Sequence, residues 1–364
     1  MKVLVTGGAG FIGSFVVDLL LERGFEPVVY DCLLPDVHPS NDWPDYLNPD
    51  VHKIRGDVLD QESLAEALSG CEVVIHLAAA VGVGESAYEP VHYVKSNTLG
   101  TASLWQTIIE SDSKPKKVVV AGSMSSYGEG LYVCEDNSFR YPGVRSEENL
   151  KARNWEFNSL TPKATPEWKE FDIQSVYAQT KRDQEDMSIM IGEQNNIPVV
   201  VPRFFNVYGP RQQMSNPYTG VAAIFNSMIL NGEAPRIYED GGQSRDFIHV
   251  EDVAEAVVRM ATEDDIVGVF NVGTGKQTTI LELAQTLIKL HGSNLLPNVV
   301  NKYRVGDIRH CYSDNRRLRG YLPDWKPRTP EVGLADLVQW AKQQRPENKT
   351  QEAHNKLVEK GLIR

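Results

Sequence analysis

Thr6-Gly7-Gly8-Ala9-Gly10-Phe11-Ile12-Gly13 constrains this chain more than any other stretch. It follows the apolar run Val3-Leu4-Val5 and opens into the amphipathic run from Phe15 to Leu21. Strand, glycine-rich turn and helix, in that order, form the geometry that holds a diphosphate. Glycines let the backbone turn tightly and approach phosphates without Cβ clashes. The helix N-terminus then offers free N–H groups and a positive dipole end to the anion. Gly8-x-Gly10-x-x-Gly13 fits the dinucleotide-binding fingerprint in the strand-to-helix context it requires. The expected contacts in this loop are Gly7, Gly10, Phe11, Ile12 and Gly13.

Length and charge narrow the class. A chain of 364 residues has room for two domains, or for one large α/β unit with an appended lobe. Its net charge of −12, with no Lys/Arg-rich segment, argues against nonspecific nucleic-acid binding. An anionic ligand therefore needs a local basic pocket on an acidic surface. No run reaches the roughly 18 apolar residues of a membrane span. Met1-Lys2 leads straight into a strand, without a signal peptide's basic region and cleavage site. Cys32, Cys71, Cys134 and Cys311 show no paired spacing and read as reduced thiols. The reading is a cytoplasmic protein with no metal.

Short β-like runs alternate with helical patterns. Strands are predicted at Lys2–Val5, Pro27–Tyr30, His52–Arg55, Val73–His76, Lys117–Ala121 and Val199–Arg203. Helices are predicted at Phe11–Arg23, Gln61–Leu68, Val94–Glu110 and Tyr177–Glu193. Such alternation gives an α/β fold, a Rossmann doubly wound parallel sheet covered on both faces. After residue 204 the pattern loosens, with helices expected at Thr219–Leu230, Val253–Met260, Ile280–Leu290 and Val332–Gln343. The expected organisation is a dinucleotide-binding domain over 1–204, a smaller substrate-binding α/β lobe over 205–345 and a charged, loosely held tail over 346–364. Residues 129–173 read as an ordered insertion or lid, and 246–272 as a segment returning to the first domain.

Asp31 ends the second strand, eighteen residues after Gly13. A carboxylate there accepts from the adenosine ribose hydroxyls and repels a 2′-phosphate, which favours NAD over NADP. Asp57, after the third strand, could reach the adenine amino group. Leu77, Ala78 and Ala79 follow the fourth strand and let a cofactor lie close to the backbone. Val58 and Asn97 complete the candidate cofactor set. Tyr177 and Lys181 are spaced i, i+4 and share one helix face. A phenol beside an ammonium and a cationic nicotinamide is expected to have a depressed pKa and to serve as general base. Ser123, just past the fifth strand, is placed to bond the substrate oxygen that loses its proton, with Ser125 as a second substrate contact. A role as turn cap is the plainer reading for Ser125 and Ser126 than for Ser123.

Together these blocks resemble the extended short-chain dehydrogenase/reductase family that acts on nucleotide-sugars, over residues 1 to about 340. The matching motifs are Gly7–Gly13, Ser123 four residues before Tyr127-Gly128, and Tyr177-x-x-x-Lys181. Three further blocks, Arg203–Arg211, Arg245–Asp252 and Arg304–Asp307, resemble the family's substrate side. The resemblance implies that Asn206, Arg245 and Arg304 bind the sugar-nucleotide diphosphate, that Asp307 takes the nucleotide ribose and that Tyr238 lies near the base. Arg is the best side chain for bidentate phosphate contacts. It also implies a homodimer formed by helices Val94–Glu110 and Tyr177–Glu193.

Sugar 4,6-dehydratases of this family carry Asp-Glu directly after the catalytic Ser/Thr. Here Met124 and Ser125 stand there, which removes the proton donor for elimination and leaves a 4-epimerase. The blocks Ala79–Gly84, Ser123–Tyr132, Ser215–Gly220 and Lys302–His310 look like those of bacterial dTDP-L-rhamnose 4-epimerases. UDP-sugar 4-epimerases (glucose or glucuronate) and 4-keto-sugar reductases are the alternative enzymes. A regulatory binding protein on the same fold is the alternative of a different class, and the Tyr177/Lys181 pair argues against it.

Overall fold

The computed structural model describes residues 1–35, 37–215, 220–344 and 350–364. Among the described residues, eight strands form its central sheet, the short Gly122–Ser123 and seven along its main path: β1 (Lys2–Thr6), β2 (Glu26–Asp31), β3 (His52–Arg55), β4 (Val73–His76), β5 (Lys117–Val120), β6 (Val199–Phe204) and β7 (Gly268–Val272). All pairings are parallel, in the order β7-β6-β5-β4-β1-β2-β3. The order reverses between β1 and β4, and a crevice opens there at the carboxyl ends of the strands.

The expected burial on both faces follows from the strand sequences. Val3 and Val5 point into one core with the helices α1 (Phe11–Glu22) and, later in the chain, Val250–Thr262. Leu4 points into the other, with α2 (Gln61–Leu68) and α3. Helix α3 starts earlier than predicted, at Pro90, whose missing N–H costs nothing in a first turn. It runs through Pro90–Tyr93, a π-helical turn at Val94–Leu99 and Gly100–Glu110. Trp105 of α3 is fully buried and donates its indole N–H to Ser188 Oγ, 2.8 Å away in α4 (Val176–Asn195).

The fifth strand differs from expectation. It breaks at Ala121 and resumes pairing with β6 at Gly122–Ser123. Pro202, opposite the break, has no N–H to give to the ladder.

The lobe begins after β6. Helices α5 (Val221–Leu230), α7 (Ile280–His291) and α8 (Pro330–Ala341) pack Phe225, Leu283, Leu287 and Leu334 together. The expected start of α5 at Thr219, and Asn216–Thr219 of the Ser215–Gly220 block, lie outside the described residues. Between α5 and α7 the chain goes back to the sheet as α6 (Val250–Thr262) and β7. Buried Lys117 of β5 fixes this return. Its ammonium donates to the carbonyls of Met260, Glu263 and Ile266, where the α6 dipole is negative.

The 129–173 stretch is ordered, with a small antiparallel sheet of Phe139–Arg140, Leu131–Val133 and Thr161–Lys163. The tail is not loosely held. Its helix α9 (Thr350–Glu359) buries Leu357, and Ile363 beyond it is also buried. Arg364 and Tyr303 exchange backbone hydrogen bonds of 2.9 and 3.0 Å. Two apolar residues and a backbone ladder outweigh the charge of the surrounding sequence.

Candidate active site

The glycine loop occupies the switch point of the sheet. Gly7 has φ +68°, and a Cβ on it would lie 2.8 Å from Ala78 N. A Cβ on Gly13 would lie 2.1 Å from Gly7 O. Leu77 and Ala78 therefore press against the loop, as only glycine permits, and Ala79 follows them in the chain. Helix α1 starts at Gly10 with no side-chain cap and no acid in its first turn. The N–H groups of Phe11, Ile12 and Gly13 are left facing the crevice. This cradle, which any Cβ would fill, fits the diphosphate of a dinucleotide.

Asp31 stands beside the loop, and its carboxylate accepts from Ala9 N (3.1 Å) and Leu33 N (2.9 Å). A carboxylate has about four lone-pair positions, so two remain for ribose hydroxyls. Asp57 caps its own turn through Leu59 N (3.0 Å), and its carbonyl accepts from the Tyr30 hydroxyl. Val58 packs against Gly100, where a Cβ would come within 2.7 Å of it. Asn97 sits in the π-turn of α3, a rearrangement frequent at functional sites. It is fully buried and clasps the Ala80 backbone from both sides, 2.7 Å to N and 3.1 Å to O. Its second amide hydrogen goes to Thr180 Oγ1 on α4.

Ser175 starts α4 by accepting from Ala178 N (3.1 Å), which puts Tyr177 in the first turn and Lys181 one turn on. The Tyr177 hydroxyl is desolvated and hydrogen-bonds Ser123. Ser123 does two jobs, because its Oγ also accepts from Ser125 N (3.2 Å) and so caps the turn Met124–Tyr127. The cap expected of Ser125 or Ser126 is thus made by Ser123. Ser125 Oγ lies 2.9 Å from Ser123 Oγ.

The expected depressed phenol is corrected here. Burial raises the Tyr177 pKa, and the Ser123 hydrogen bond lowers it only in part. Lys181 is itself pushed down to about 7 by burial, and its ammonium donates to Gln184 Oε1 at 2.7 Å. Sequence spacing set the shared helix face but neither the burial nor this partner.

Behind Lys181 runs a buried chain that sequence reasoning missed. Gln184 Nε2 donates to Thr101 Oγ1 (2.7 Å), and Thr101 Oγ1 lies 3.0 Å from His76 Nε2. His76 Nδ1 meets Thr6 Oγ1 at 2.7 Å, and Thr6 Oγ1 accepts from Ala78 N. Burial and the Lys181 charge hold His76 at about 3, so it is neutral. The chain ties α4 to the crevice beside the glycine loop. Its members come from four separate elements, and no local pattern announces them.

The lobe side is built from charge. Arg145 of the insertion grips Glu239 with both nitrogens (2.7 and 2.8 Å) and donates to Asp307 O. Arg309 bridges Glu239, Asp240 and Glu156. Glu129 accepts from the N–H groups of Arg309 and His310. Burial raises the Glu156 pKa, but hydrogen bonds from His310 and Arg309 outweigh it and bring it to about 2.

Arg245 and Asp307, assigned different ligand groups in sequence, meet at 3.0 Å. Arg245 also donates to the carbonyls of Ser244, Ile308 and Arg309. Arg304 lies 4.4 Å over the ring of Tyr238. Asn206 is held by its N–H to Asp246 O, and its buried Oδ1 has no partner among the described residues.

A parallel sheet with this loop at its switch point, and a Ser, a Tyr and a Lys brought to the same crevice, defines a dinucleotide-dependent enzyme of the short-chain dehydrogenase/reductase kind. Comparison with known proteins agrees. The chain belongs to the NAD dependent epimerase/dehydratase family, which it matches over residues 3–273. It is 34% identical over 348 residues to the dTDP-L-rhamnose 4-epimerase of Burkholderia thailandensis, covering 94% of this chain and 95% of that one. UDP-glucose 4-epimerase of Thermotoga maritima, solved with UDP-glucose, is 30% identical with a TM-score of 0.77, covering 94% of this chain and 99% of its own. UDP-glucuronic acid 4-epimerase of Bacillus cereus, solved with UDP-glucuronic acid and NAD, is 28% identical with a TM-score of 0.74 and the same coverage. The expected family, fold class and NAD dependence are borne out.

Proposed function

We propose that this chain is a nucleotide-sugar 4-epimerase that converts dTDP-L-rhamnose to dTDP-6-deoxy-L-talose through a transient 4-keto sugar. Support for the reaction class lies at residues 124 and 125. Elimination of water needs an acid and a base beside the catalytic hydroxyl, and Met124 and Ser125 supply neither. Support for the sugar is the identity to the Burkholderia thailandensis enzyme.

Bound NAD supplies the hydride acceptor and donor. Tyr177 would take the proton of the sugar 4-hydroxyl and later return it, the positive nicotinamide of bound NAD offsetting the burial that raises its pKa, with Ser123 aligning that oxygen. The 4-keto sugar turns over in the pocket between the two events. Asp31 and the first turn of α1 hold the cofactor; Asn206, Arg245, Arg304, Asp307 and Tyr238 are assigned to the nucleotide-sugar.

The deciding experiment incubates the purified protein with dTDP-L-rhamnose, UDP-glucose and UDP-glucuronate separately and follows inversion at C4 by proton NMR. Inversion of dTDP-L-rhamnose alone is the expected result. The solved UDP-sugar neighbours favour the second reading, and inversion of a UDP-sugar instead would establish it. An epimerase regenerates its cofactor in place, so NAD should copurify; a protein stripped of NAD by ordinary purification would point to a reductase. Tyr177→Phe should lower kcat by roughly 10²–10⁴-fold with NAD still bound.

The same reading extends to a homodimer in the cytoplasm. Val91, Leu99 and Met190 expose 66%, 51% and 55% of their surface on α3 and α4, a stripe suited to a partner. Light scattering at twice the 40.7 kDa chain mass is the check. No described helix is long and apolar enough to cross a membrane.

A further inference from the structure

Residues 350–364 span from the lobe to the sheet. On the lobe side, Val305 N–H donates to Leu362 O (3.0 Å), and Arg304 pairs with Ile363 in an antiparallel bridge. On the sheet side, Leu357 Cδ2 lies 3.5 Å from where a Cβ on Gly84 would be, and Lys356 Nζ sits 4.4 Å over the ring of Tyr88. The loop holding Gly84 and Tyr88 continues from the small residues after β4. Its Glu85 accepts from the Tyr93 hydroxyl, and the Tyr93 ring meets that of Tyr177 edge-on at 6.2 Å.

Between these anchors, His354 stacks on Tyr238 with ring centroids 6.2 Å apart, and its Nδ1 is 2.7 Å from the Tyr238 hydroxyl. Gln351 Oε1 accepts from Arg236. Burial, then the charges of Arg236, Lys302 and Arg304, lowers the pKa of the His354 imidazole. These cations gather around one aromatic ring on a chain of net charge −12. In the tautomer in which Tyr238 donates to Nδ1, the imidazole carries its hydrogen on Nε2 and can donate it to a ligand.

We propose that residues 350–364 form one wall of the nucleotide subsite and that His354 is a specificity-determining residue that, with Tyr238 and Arg304, holds the nucleoside diphosphate half of the substrate. The proposal rests on the nucleotide-sugar reading above. Cations would take the diphosphate, and the stacked pair would frame the nucleoside.

Titration calorimetry of the NAD-loaded full chain with dTDP and with UDP tests it. These probes differ in the base methyl and the ribose 2′-hydroxyl, so their affinity ratio reports contacts at the nucleoside. His354→Ala should weaken dTDP about tenfold, raise KM in parallel, leave kcat within about twofold and change the dTDP-to-UDP ratio. His354→Gln, which keeps an acceptor for Tyr238, should recover most of the affinity. Leu357→Ser, which loosens the segment without touching ligand, should weaken both nucleotides and leave their ratio unchanged. Wild-type affinity and ratio in His354→Ala would overturn the proposal while the nucleotide reading stood. If the unaltered chain bound neither dTDP nor UDP, the nucleotide reading itself would fall.

Discussion

On the sheet side of the cleft, the groups offered to a ligand are mostly backbone: the α1 N–H groups and the bare Cα atoms of Gly7 and Gly13, braced by Asn97 gripping the Ala80 peptide. On the lobe side, Arg145, Glu239, Arg309 and Glu156 hold one another across 164 positions of sequence, from 145 to 309, and the candidate ligand-facing groups hang from that lattice. The backbone site needs short-range order and tolerates little change of shape. The side-chain site needs all of its partners at once, because removing one strands a buried charge on another.

The sharpest way to break the first half is Gly13→Ala. Its Cβ would meet Gly7 O at 2.1 Å, so the loop must open. NAD should no longer copurify, while the lobe should still melt as in the parent; absorbance of the protein and its released cofactor reports this. In the second half, Arg145→Met leaves Glu239 buried with one partner fewer. Urea unfolding should show a loss of about 3 kcal/mol. Arg316→Met removes an arginine whose side chain is 87% exposed in its pair with Asp314, and should leave the urea midpoint at the parent value.

A smaller effect would tell whether the buried chain behind Lys181 belongs with the backbone site. Gln184→Leu removes an acceptor from the ammonium and should move the alkaline limb of the kcat profile to lower pH. Gln184→Glu should move it up, each by about one unit, equivalent to about 1.4 kcal/mol. Limbs that stay put in both variants would separate Gln184 from Lys181 function.

Acid provides the mildest perturbation of the lobe. The Glu156 pKa is depressed in the folded chain, from 4.5 to about 2. Its contribution is therefore present above the unfolded value and lost as pH falls from about 4.5 toward 2. Glu156 is half open to solvent, so the loss should be at most about 1 kcal/mol. Glu156→Gln should flatten the urea midpoint across that window.

Legibility divided along the same line. The placement of Gly7–Gly13, Asp31, Ser123 and the Tyr177/Lys181 pair could be read from sequence because local geometry at fixed spacing positions each of them. The alternation of β1 to β6 with helices was readable for the same reason, as buried strands are apolar throughout. The Arg145–Glu239–Arg309 lattice was not, since nothing near any one of these residues identifies the other two. The Thr6–His76–Thr101–Gln184 chain escaped for the same cause. Residues 350–364 were misjudged because their charge is obvious in sequence, whereas the two contacts that dock them, Leu357 and Ile363, matter only once Gly84 and Arg304 are in place. The error over Tyr177 was one of environment: spacing cannot report desolvation.

The late position of β7 in the chain also bears on how the protein is made. Sixty-four positions separate Phe204 from Gly268, so β6 emerges from the ribosome well before the strand that will cover it. At about 5–20 residues per second that gap lasts roughly 3 to 13 seconds. Throughout it, Val199-Val200-Val201 stands at an open sheet edge, the kind that recruits strands from neighbouring chains. Pro202 does not guard this edge, because its missing N–H faces β5, whereas the edge groups belong to the alternate residues, such as Phe205, whose N–H donates to Val272 O in the finished sheet. That row of N–H and C=O groups therefore stays open until Gly268–Val272 arrives to pair with it.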